Sequence, residues 1–155
     1  MKVGIDCSSK AIHVAILDDD KKLKKLFKCE SKAALSDERF LEIVPAFKKK
    51  MKRSIKIINK AMVEKELYIQ NPATTVAIAK VVAGVQLTLS EFKIPFELIT
   101  VTSWKKKTIK DPWAKKEQVQ AFAIKTFGKK KDFKDQNFCD AATIGLSGFD
   151  ERVKV

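Results

Sequence analysis

Hydrophobic positions alternate with polar ones in residues 1–30 and predict three short strands. The first strand is predicted over Lys2–Asp6 and the second over Ile12–Leu17. A third, Leu23–Cys29, returns after a turn of consecutive aspartates. Strands joined by short connections pair antiparallel. This segment is therefore predicted to be a meander, and lysines would protect its outer edge from further pairing.

Helical spacing of the hydrophobic residues follows this meander. Ser36 is predicted to be the N-cap of a helix with Asp37 and Glu38 in its first turn. Pro45 lies inside the same helix, where it removes a backbone donor, and so predicts a kink or a break. The next apolar segment, Ile55–Leu67, is predicted to be a buried strand.

A long apolar helix is predicted to start with Asn71 as its N-cap and Pro72 as its first residue. From there to residue 93, hydrophobic side chains lie on nearly every side, which a helix with one solvated face does not need. Two interpretations are open. Either the helix is central in the protein, or another subunit covers its outer face.

The later segments predict one more strand and two more helices. The strand is predicted over Phe96–Val101 and is followed by a basic segment, Thr102–Lys110. Helices are predicted over Lys115–Phe127 and Gln136–Phe149. The order βββαβαβαα predicts an α/β domain with a mixed sheet of five strands, antiparallel at first and then parallel. A chain of 155 residues forms one such domain, residues 1–155.

The formal net charge of +13 predicts a polyanionic partner. Nucleic acid is the first candidate and an anionic membrane surface the second. The basic residues are nearly all lysine, since only Arg39, Arg53 and Arg152 are arginine. Lysine binds phosphate as a point charge and is poorly suited to reading bases. The composition thus predicts contacts to a nucleic-acid backbone with little sequence specificity.

The cysteines predict a reducing compartment. Cys7, Cys29 and Cys139 are odd in number, far apart and not arranged as CxxC pairs, so thiols are expected instead of a disulfide framework or a zinc site. No apolar run reaches about 18 residues and no signal-peptide pattern is visible, so a membrane-spanning helix and secretion are not expected. The single histidine, His13, is expected to be a strand residue and not a catalyst.

Three carboxylates lie within apolar segments. Asp6 closes the first strand, Glu64 follows a run of apolar residues, and Asp140 is preceded by Cys139 and followed by Ala141. Burying an ionised carboxylate costs several kcal/mol unless it is paired or bound to a metal. One such acid alone would be explained by a nearby lysine, but three together predict a site for Mg²⁺ or Mn²⁺. Two such ions about 4 Å apart can promote phosphodiester hydrolysis.

Four motifs resemble those of the RuvC-type Holliday junction resolvases, which have the ribonuclease H-like fold. The first motif is Val3-Gly4-Ile5-Asp6, followed by a polar turn and a second strand. The second is Val63-Glu64-Lys65-Glu66-Leu67, with Asn71 seven residues after Glu64. The third is Lys116-Glu117-Gln118-Val119 and the fourth is Asp140-Ala141-Ala142. The motifs occur in the same order as in the family, and the resemblance extends over nearly the whole chain.

The resemblance implies a catalytic site for two Mg²⁺ or Mn²⁺ ions, in which Asp6 bridges the metals and Glu64 and Asp140 complete the site. The family usually has a fourth ligand three residues before the last acid. Here that residue is Asn137, an amide that can bind a hard cation without adding charge. The nearest acid, Asp135, could serve instead only at the start of the helix, so both candidates remain open.

The resemblance also implies basic residues near the scissile phosphate. Lys116 and one of three consecutive lysines would bind phosphate and neutralise charge in the transition state. Those three are Lys105, Lys106 and Lys107. In a chain this rich in lysine, any one of them could also be an ordinary surface residue.

An aromatic residue that stacks at the junction centre in the family is replaced here. Its position, three residues after the motif glutamate, is Leu67, and Tyr68 is next to it. Either could contact DNA, and base stacking favours Tyr68. The loss of the aromatic residue and the scarcity of arginine predict cutting selected by DNA structure with relaxed base readout. Trp104 and Trp113 are expected to pack in loops.

The residues and the resemblance together predict a homodimeric endonuclease that resolves Holliday junctions, and other branched DNA, by symmetric nicks leaving 5′-phosphates. A four-way junction has twofold symmetry, so paired nicks need paired sites, and helix 72–93 would supply the dimer surface. No membrane partner or small-molecule cofactor is expected, and the location would be bacterial or phage-infected cytoplasm. The alternatives are a ribonuclease H-like nuclease with another substrate and a non-catalytic branched-DNA-binding protein.

Overall fold

The computed structural model describes residues 1–65 and 71–149, which contain a five-stranded sheet. The strands are β1 (Lys2–Cys7), β2 (Ala11–Leu17), β3 (Leu23–Glu30), β4 (Lys60–Glu64) and β5 (Phe96–Ile99). Their order across the sheet is β3-β2-β1-β4-β5. The first three strands are antiparallel, and β4 and β5 run parallel to β1. The predicted mixed α/β sheet is therefore confirmed.

Helices cover both faces of this sheet. They are α1 (Ser36–Lys52), α2 (Pro72–Glu91), α3 (Val101–Thr108), α4 (Lys116–Phe127) and α5 (Gln136–Leu146). One hydrophobic core lies between the sheet and the pair α1 and α2, and a second core lies between the opposite face and α3, α4 and α5. The three cysteines are buried thiols and none forms a disulfide, as predicted.

Helix α1 differs from the prediction at its start, and of the kink or break predicted at its proline, no break occurs. Leu35 occupies the N-cap position without a side-chain hydrogen bond, and Ser36 is the first helical residue. The helix continues through Pro45 without a break. Ile43 and Phe47, on either side of the proline, are fully buried, so packing holds both halves of the helix against the sheet.

Helix α3 lies in the basic segment 102–110, for which the sequence predicted neither a helix nor a strand. Thr100 caps this helix by accepting a hydrogen bond from the Ser103 backbone N–H at 3.3 Å. Trp104 is 1% exposed and is the one buried residue of the helix, so it packs in a helix and not in a loop. A helix with one buried side chain and a run of lysines has no hydrophobic periodicity from which to predict it.

Helix α2 begins as predicted, since Asn71 Oδ1 accepts from the backbone N–H groups of Ala73 and Thr74 at 3.0 and 3.3 Å. One side of α2 is buried, whereas Val76 and Leu87 on its outer side are 55% and 72% exposed. The helix is thus not central within the described chain. Among the described residues, α2 alone has the length and apolar composition to cross a membrane, features that the core helix of a soluble protein shares.

Candidate active site

Asp6 and Glu64 occupy equivalent positions on neighbouring parallel strands. β1 and β4 pair with Ile5 opposite Val63, so Asp6 and Glu64 are the next residue on each strand. Neighbouring strands lie about 4.8 Å apart, and side chains at the same register project to the same face. The two predicted site acids therefore lie side by side at one edge of the sheet.

Helix α5 crosses β1 at Gly4, so closely that no side chain fits between them. A Cβ atom on Gly4 would lie 1.9 Å from the Ala141 carbonyl oxygen and 2.2 Å from the Gly145 nitrogen. Gly4 precedes Asp6 by two residues and faces the same side of the sheet. Because Asp140 directly precedes Ala141, this close crossing places the third predicted acid on the same side of the sheet as Asp6.

The start of α5 is tied to the strand next to Asp6. His13 is the β2 residue opposite Asp6, and its Nε2 lies 3.0 Å from Asp135 Oδ2. Asp135 is the N-cap of α5, and its Oδ1 accepts from the backbone N–H of Asn137 at 3.1 Å. The structure therefore places Asp135 at the helix start, where the sequence allowed it to act as a ligand. Both of its oxygens already have hydrogen-bond partners.

Burial and hydrogen bonding set the charges of this pair. Burial lowers the pKa of His13 below its ordinary value, and the nearby Asp135 charge opposes this only in part. An ionised carboxylate can only accept a hydrogen bond, so His13 donates its Nε2–H to Asp135 Oδ2. Burial by itself would raise the pKa of Asp135, but the hydrogen bond from Asn137 and the interaction with His13 hold it below its ordinary value. Within the described chain, His13 Nδ1 is buried without a hydrogen-bond partner.

Trp104 holds the Glu64 carboxylate. Its indole Nε1–H donates to Glu64 Oε2 at 2.7 Å. The Trp104 ring is packed in the core between the sheet and α5, so it cannot change its position freely. Helix α3 thus restricts the orientation of the Glu64 carboxylate through this hydrogen bond.

Asp140 is half-buried and lies close to two lysines. Gln136, one turn earlier on α5, donates its Nε2–H to Asp140 Oδ1 at 3.1 Å. Burial raises the pKa of the Asp140 carboxyl, while the Gln136 hydrogen bond and the positive charges of Lys105 and Lys116 act in the opposite direction. The Lys105 ammonium also donates to the Ala114 carbonyl at 2.7 Å.

The other predicted DNA-contacting residues lie elsewhere or outside the described chain. Lys107 forms an ion pair with Glu97 at 3.7 Å. Lys106 lines an open surface cavity on α3 together with Lys107 and Lys110. Lys105 is therefore the one of the three consecutive lysines whose charge acts on Asp140. Leu67 and Tyr68 lie outside the described residues.

The acids share one side of the sheet without closing around a single point. No group of three or more Asp, Glu, His or Cys side chains in residues 1–65 and 71–149 is arranged to hold a metal ion. Mg²⁺ usually keeps several waters and binds through one or two carboxylates together with substrate phosphates. The adjacent pair of Asp6 and Glu64 fits this chemistry. Asn137 is exposed, and its side-chain amide donates to Asp135 Oδ1 at 3.2 Å.

Sequence reasoning missed three side chains that hold these acids: His13, Trp104 and Gln136. Gln136 lies four residues before Asp140, a spacing at which helical side chains meet, so the sequence contained a signal for it. His13 and Trp104 contact partners that are distant in the sequence, and no local pattern identifies such pairs.

The fold is similar to that of solved Holliday junction resolvases. RuvC of T. thermophilus in complex with a Holliday junction substrate has a TM-score of 0.77 and 18% identity, over 95% of this chain and 92% of that chain. A second Thermus thermophilus RuvC structure has a TM-score of 0.71 and 16% identity, over 94% and 90%. The Fowlpox virus resolvase, solved with Holliday junction DNA, has a TM-score of 0.54 and 14% identity, over 94% and 95%.

No protein-family model and no curated protein matches the sequence. The structural likeness extends over nearly the full length of the compared chains, although sequence identity is low. The chain therefore has the ribonuclease H-like fold of the RuvC-type Holliday junction resolvases, as its four sequence motifs predict.

Proposed function

We propose that this protein is a metal-dependent endonuclease that resolves Holliday junctions and cuts other branched DNA with relaxed sequence preference. The observation that carries the proposal is the placement of Asp6, Glu64 and Asp140 on one side of a RuvC-like sheet, with Lys105 and Lys116 acting on Asp140. Carboxylates beside lysines suit a phosphodiester, because the acids can hold cations while the lysines attract phosphate.

In this proposal, Asp6, Glu64 and Asp140 hold Mg²⁺ or Mn²⁺, two ions per site, with Asn137 or Asp135 as the fourth ligand. When bound, these ions would neutralise phosphate charge and activate the attacking water. Hydrolysis would leave a 5′-phosphate and a 3′-hydroxyl.

The surrounding side chains would orient the acids. Trp104 restricts the Glu64 carboxylate through its hydrogen bond to Oε2, and Gln136 does the same for Asp140 through Oδ1. Partners of this kind fix ligand geometry and raise metal affinity. Burial raises the pKa of Asp140, so a nearby cation would favour its ionised form.

The two lysines would contact the DNA backbone next to the acids. Lys105 is held by the Ala114 carbonyl at 2.7 Å, and Lys116 is the first residue of α4. The positive charges of both lysines act on the Asp140 carboxylate, so they would also attract a phosphate bound next to it. Their role would be to bind phosphate and to stabilise negative charge in the transition state.

The proposal includes a homodimer formed through α2. Val76 and Leu87 expose apolar side chains on the outer side of this helix, and Ala83 lies exposed between them in sequence. A second copy of the chain would remove these side chains from water. Twofold symmetry in the dimer would match that of a four-way junction and place one site at each symmetric phosphate.

Cleavage of synthetic DNA tests the nuclease. Four-way junctions, three-way junctions and linear duplexes of the same sequence are incubated with Mg²⁺ or Mn²⁺, and products are resolved on denaturing gels. We expect symmetric nicks in the four-way junction and little cutting of the linear duplex. Asp6→Asn should abolish nicking and retain junction binding, whereas Asp20→Asn, an exposed turn residue, is the matched control. Nicking retained by Asp6→Asn would contradict the proposal.

A second candidate function is branched-DNA binding without catalysis. It is favoured because no cluster of three acids, histidines or cysteines closes around a point among the described residues, and because an amide, Asn137, occupies the fourth-ligand position. This candidate predicts tight junction binding without nicking in any divalent metal.

If residue 137 is a ligand in an active enzyme, Asn137→Asp should retain or increase activity. Loss of activity in Asp135→Asn would favour Asp135.

A further inference from the structure

Trp113 is the most exposed large hydrophobic side chain of the described residues, with 79% of its surface accessible. This corrects the expectation that it packs in a loop. An indole ring with so much surface in water gives up the hydrophobic stabilisation that packing would provide. The exposed ring thus offers a large aromatic surface to a ligand.

The backbone that carries Trp113 is held on both sides. The Trp113 backbone N–H donates to Asp111 Oδ1 at 2.9 Å, which closes a turn. The next residue, Ala114, is 2% exposed, and its carbonyl accepts from the Lys105 ammonium at 2.7 Å. The indole is thus presented from an ordered turn, which reduces the conformational entropy lost when a ligand binds.

The same turn connects Trp113 to the candidate active site. Lys105, which is bonded to the carbonyl of the residue after Trp113, acts on the charge of Asp140. Lys116, three residues after Trp113, acts on Asp140 as well. Two lysines whose charges act on the site acid are therefore tied to the Trp113 segment, Lys105 by its hydrogen bond to the next residue and Lys116 by its place in the chain. Lys110 and Lys115 add two more positive charges to the segment.

We propose that Trp113 is a base-stacking residue that binds an unstacked DNA base at a branch point while Lys105 and Lys116 bind the adjacent phosphates. This inference rests on the proposed function and specifies its ligand. An aromatic ring next to lysines is the combination by which proteins bind single-stranded or unpaired nucleotides, because every base offers a π-face. Stacking of this kind tolerates any sequence and agrees with the scarcity of arginine.

Tryptophan fluorescence tests the stacking directly. The chain has two tryptophans, and Trp104 is 1% exposed, so a DNA base can reach only Trp113. Four-way junctions and linear duplexes are titrated without divalent metal, which prevents cleavage. We expect the junction to quench the wild-type emission strongly. Trp113→Phe, in which only Trp104 emits, should show no such quenching.

Affinity measurements provide the second readout. Loss of one base-stacking contact weakens binding by about 5- to 150-fold, so Trp113→Ala should weaken junction binding within this range. Trp113→Phe should lose less, because phenylalanine retains a ring. The matched control is Ile57→Ala, since Ile57 is 50% exposed and lies shortly before the start of β4, away from the strand end that carries Glu64. Linear-duplex binding should be unchanged in all three variants.

The outcomes separate this inference from the proposed nuclease. Unchanged junction affinity in Trp113→Ala, or emission that anionic lipid vesicles shift and junctions do not, would overturn base stacking. Junction nicking together with either result would leave the nuclease intact. Junction quenching and weaker Trp113→Ala binding, in a protein that nicks no DNA with Mg²⁺ or Mn²⁺, would support stacking and overturn only the nuclease.

Discussion

The two faces of the sheet are packed in opposite ways. Against α1 and α2, the sheet presents large aliphatic side chains such as Val3 and Ile5, which fill the space between the layers. Against α5, the same strand presents Gly4, and the helix presents Ala141 and Gly145, so that backbone meets backbone. Large side chains between two layers add hydrophobic stabilisation, whereas glycine lets the backbones of the strand and the helix approach each other closely.

Polar groups follow the same division. Asp6 and His13 are buried on the α5 side, and His13 forms a hydrogen bond with Asp135. On the same side, Trp104 donates a hydrogen bond to Glu64, and Gln136 donates one to Asp140. The buried residues of β1 that face α1 and α2 are apolar or cysteine. The candidate acids and the polar groups that bond to them therefore lie on the face covered by α3 and α5.

The largest effect is expected from restoring a side chain at the close crossing. In Gly4→Ala, the new Cβ would overlap backbone atoms of Ala141 and Gly145, which cannot move away as a flexible side chain could. We expect the free energy of unfolding to fall by about 3 kcal/mol or more. Ile5→Val, on the opposite face of the same strand, should cost about 0.5–1.5 kcal/mol. Denaturant unfolding of both variants measures the difference, and a reversed order would contradict the comparison.

A smaller effect is expected from removing the hydrogen bond to Glu64. Trp104→Phe keeps an aromatic ring in the core but leaves Glu64 Oε2 without the indole N–H. We expect about 1–3 kcal/mol of lost stability and, if the protein is the proposed nuclease, about 10- to 100-fold lower cleavage.

If the protein is the proposed nuclease, a displaced Glu64 should also raise the Mg²⁺ concentration needed for half-maximal cleavage, while metal-free junction binding stays unchanged. Trp113→Phe is the control for stability and should change it by less than about 0.5 kcal/mol. A Trp104→Phe variant with normal metal dependence would show that the bond does not position Glu64.

The pH dependence of stability probes the polar face. Burial lowers the pKa of His13 below 6.5 in the folded protein, so the unfolded chain binds a proton more readily. Stability should therefore fall as the pH decreases from about 7 to about 5. The pKa of Asp135 is lowered in the folded protein, so stability should fall further as the pH decreases below 3.8, the ordinary pKa of this carboxyl. The pKa of Asp140 is raised, so this group should make the folded protein more stable as the pH decreases.

His13→Gln isolates the histidine contribution, because the chain has one histidine. Thermal unfolding measured across this pH range should show a flatter profile for the variant than for the wild type. An identical slope in both proteins would assign the pH dependence to other groups.

The smallest effect on stability is expected on the outer surface of the layer formed by α1 and α2. Leu87 is 72% exposed, so Leu87→Lys should change the free energy of unfolding by less than about 0.5 kcal/mol. If α2 forms the proposed dimer, the same change should convert the dimer to a monomer in sedimentation experiments. Ile57→Lys, on another exposed apolar residue, should leave the dimer intact. A wild-type monomer would contradict the proposed dimer.

The sequence by itself determined the order of the strands, the mixed topology and the Asn71 cap, because these depend on alternation, turn residues and short-range hydrogen bonds. It did not determine the start of the fourth strand, which was predicted at Ile55, whereas Ile55–Ile57 form a 3-10 turn and β4 begins at Lys60. It also identified Asp6, Glu64 and Asp140 as candidate acids, since carboxylates in apolar segments are visible locally. The roles of these acids in metal binding stay predictions.

Only the tertiary structure decided which groups hold the acids and which side chains stay exposed. Helix α3 was not predicted because its one buried residue, Trp104, contacts Glu64 on β4, which is distant in the sequence. Trp113 has the same residue type and a similar basic context, yet it lies on the surface. Burial results from contacts between distant segments, which local patterns do not encode.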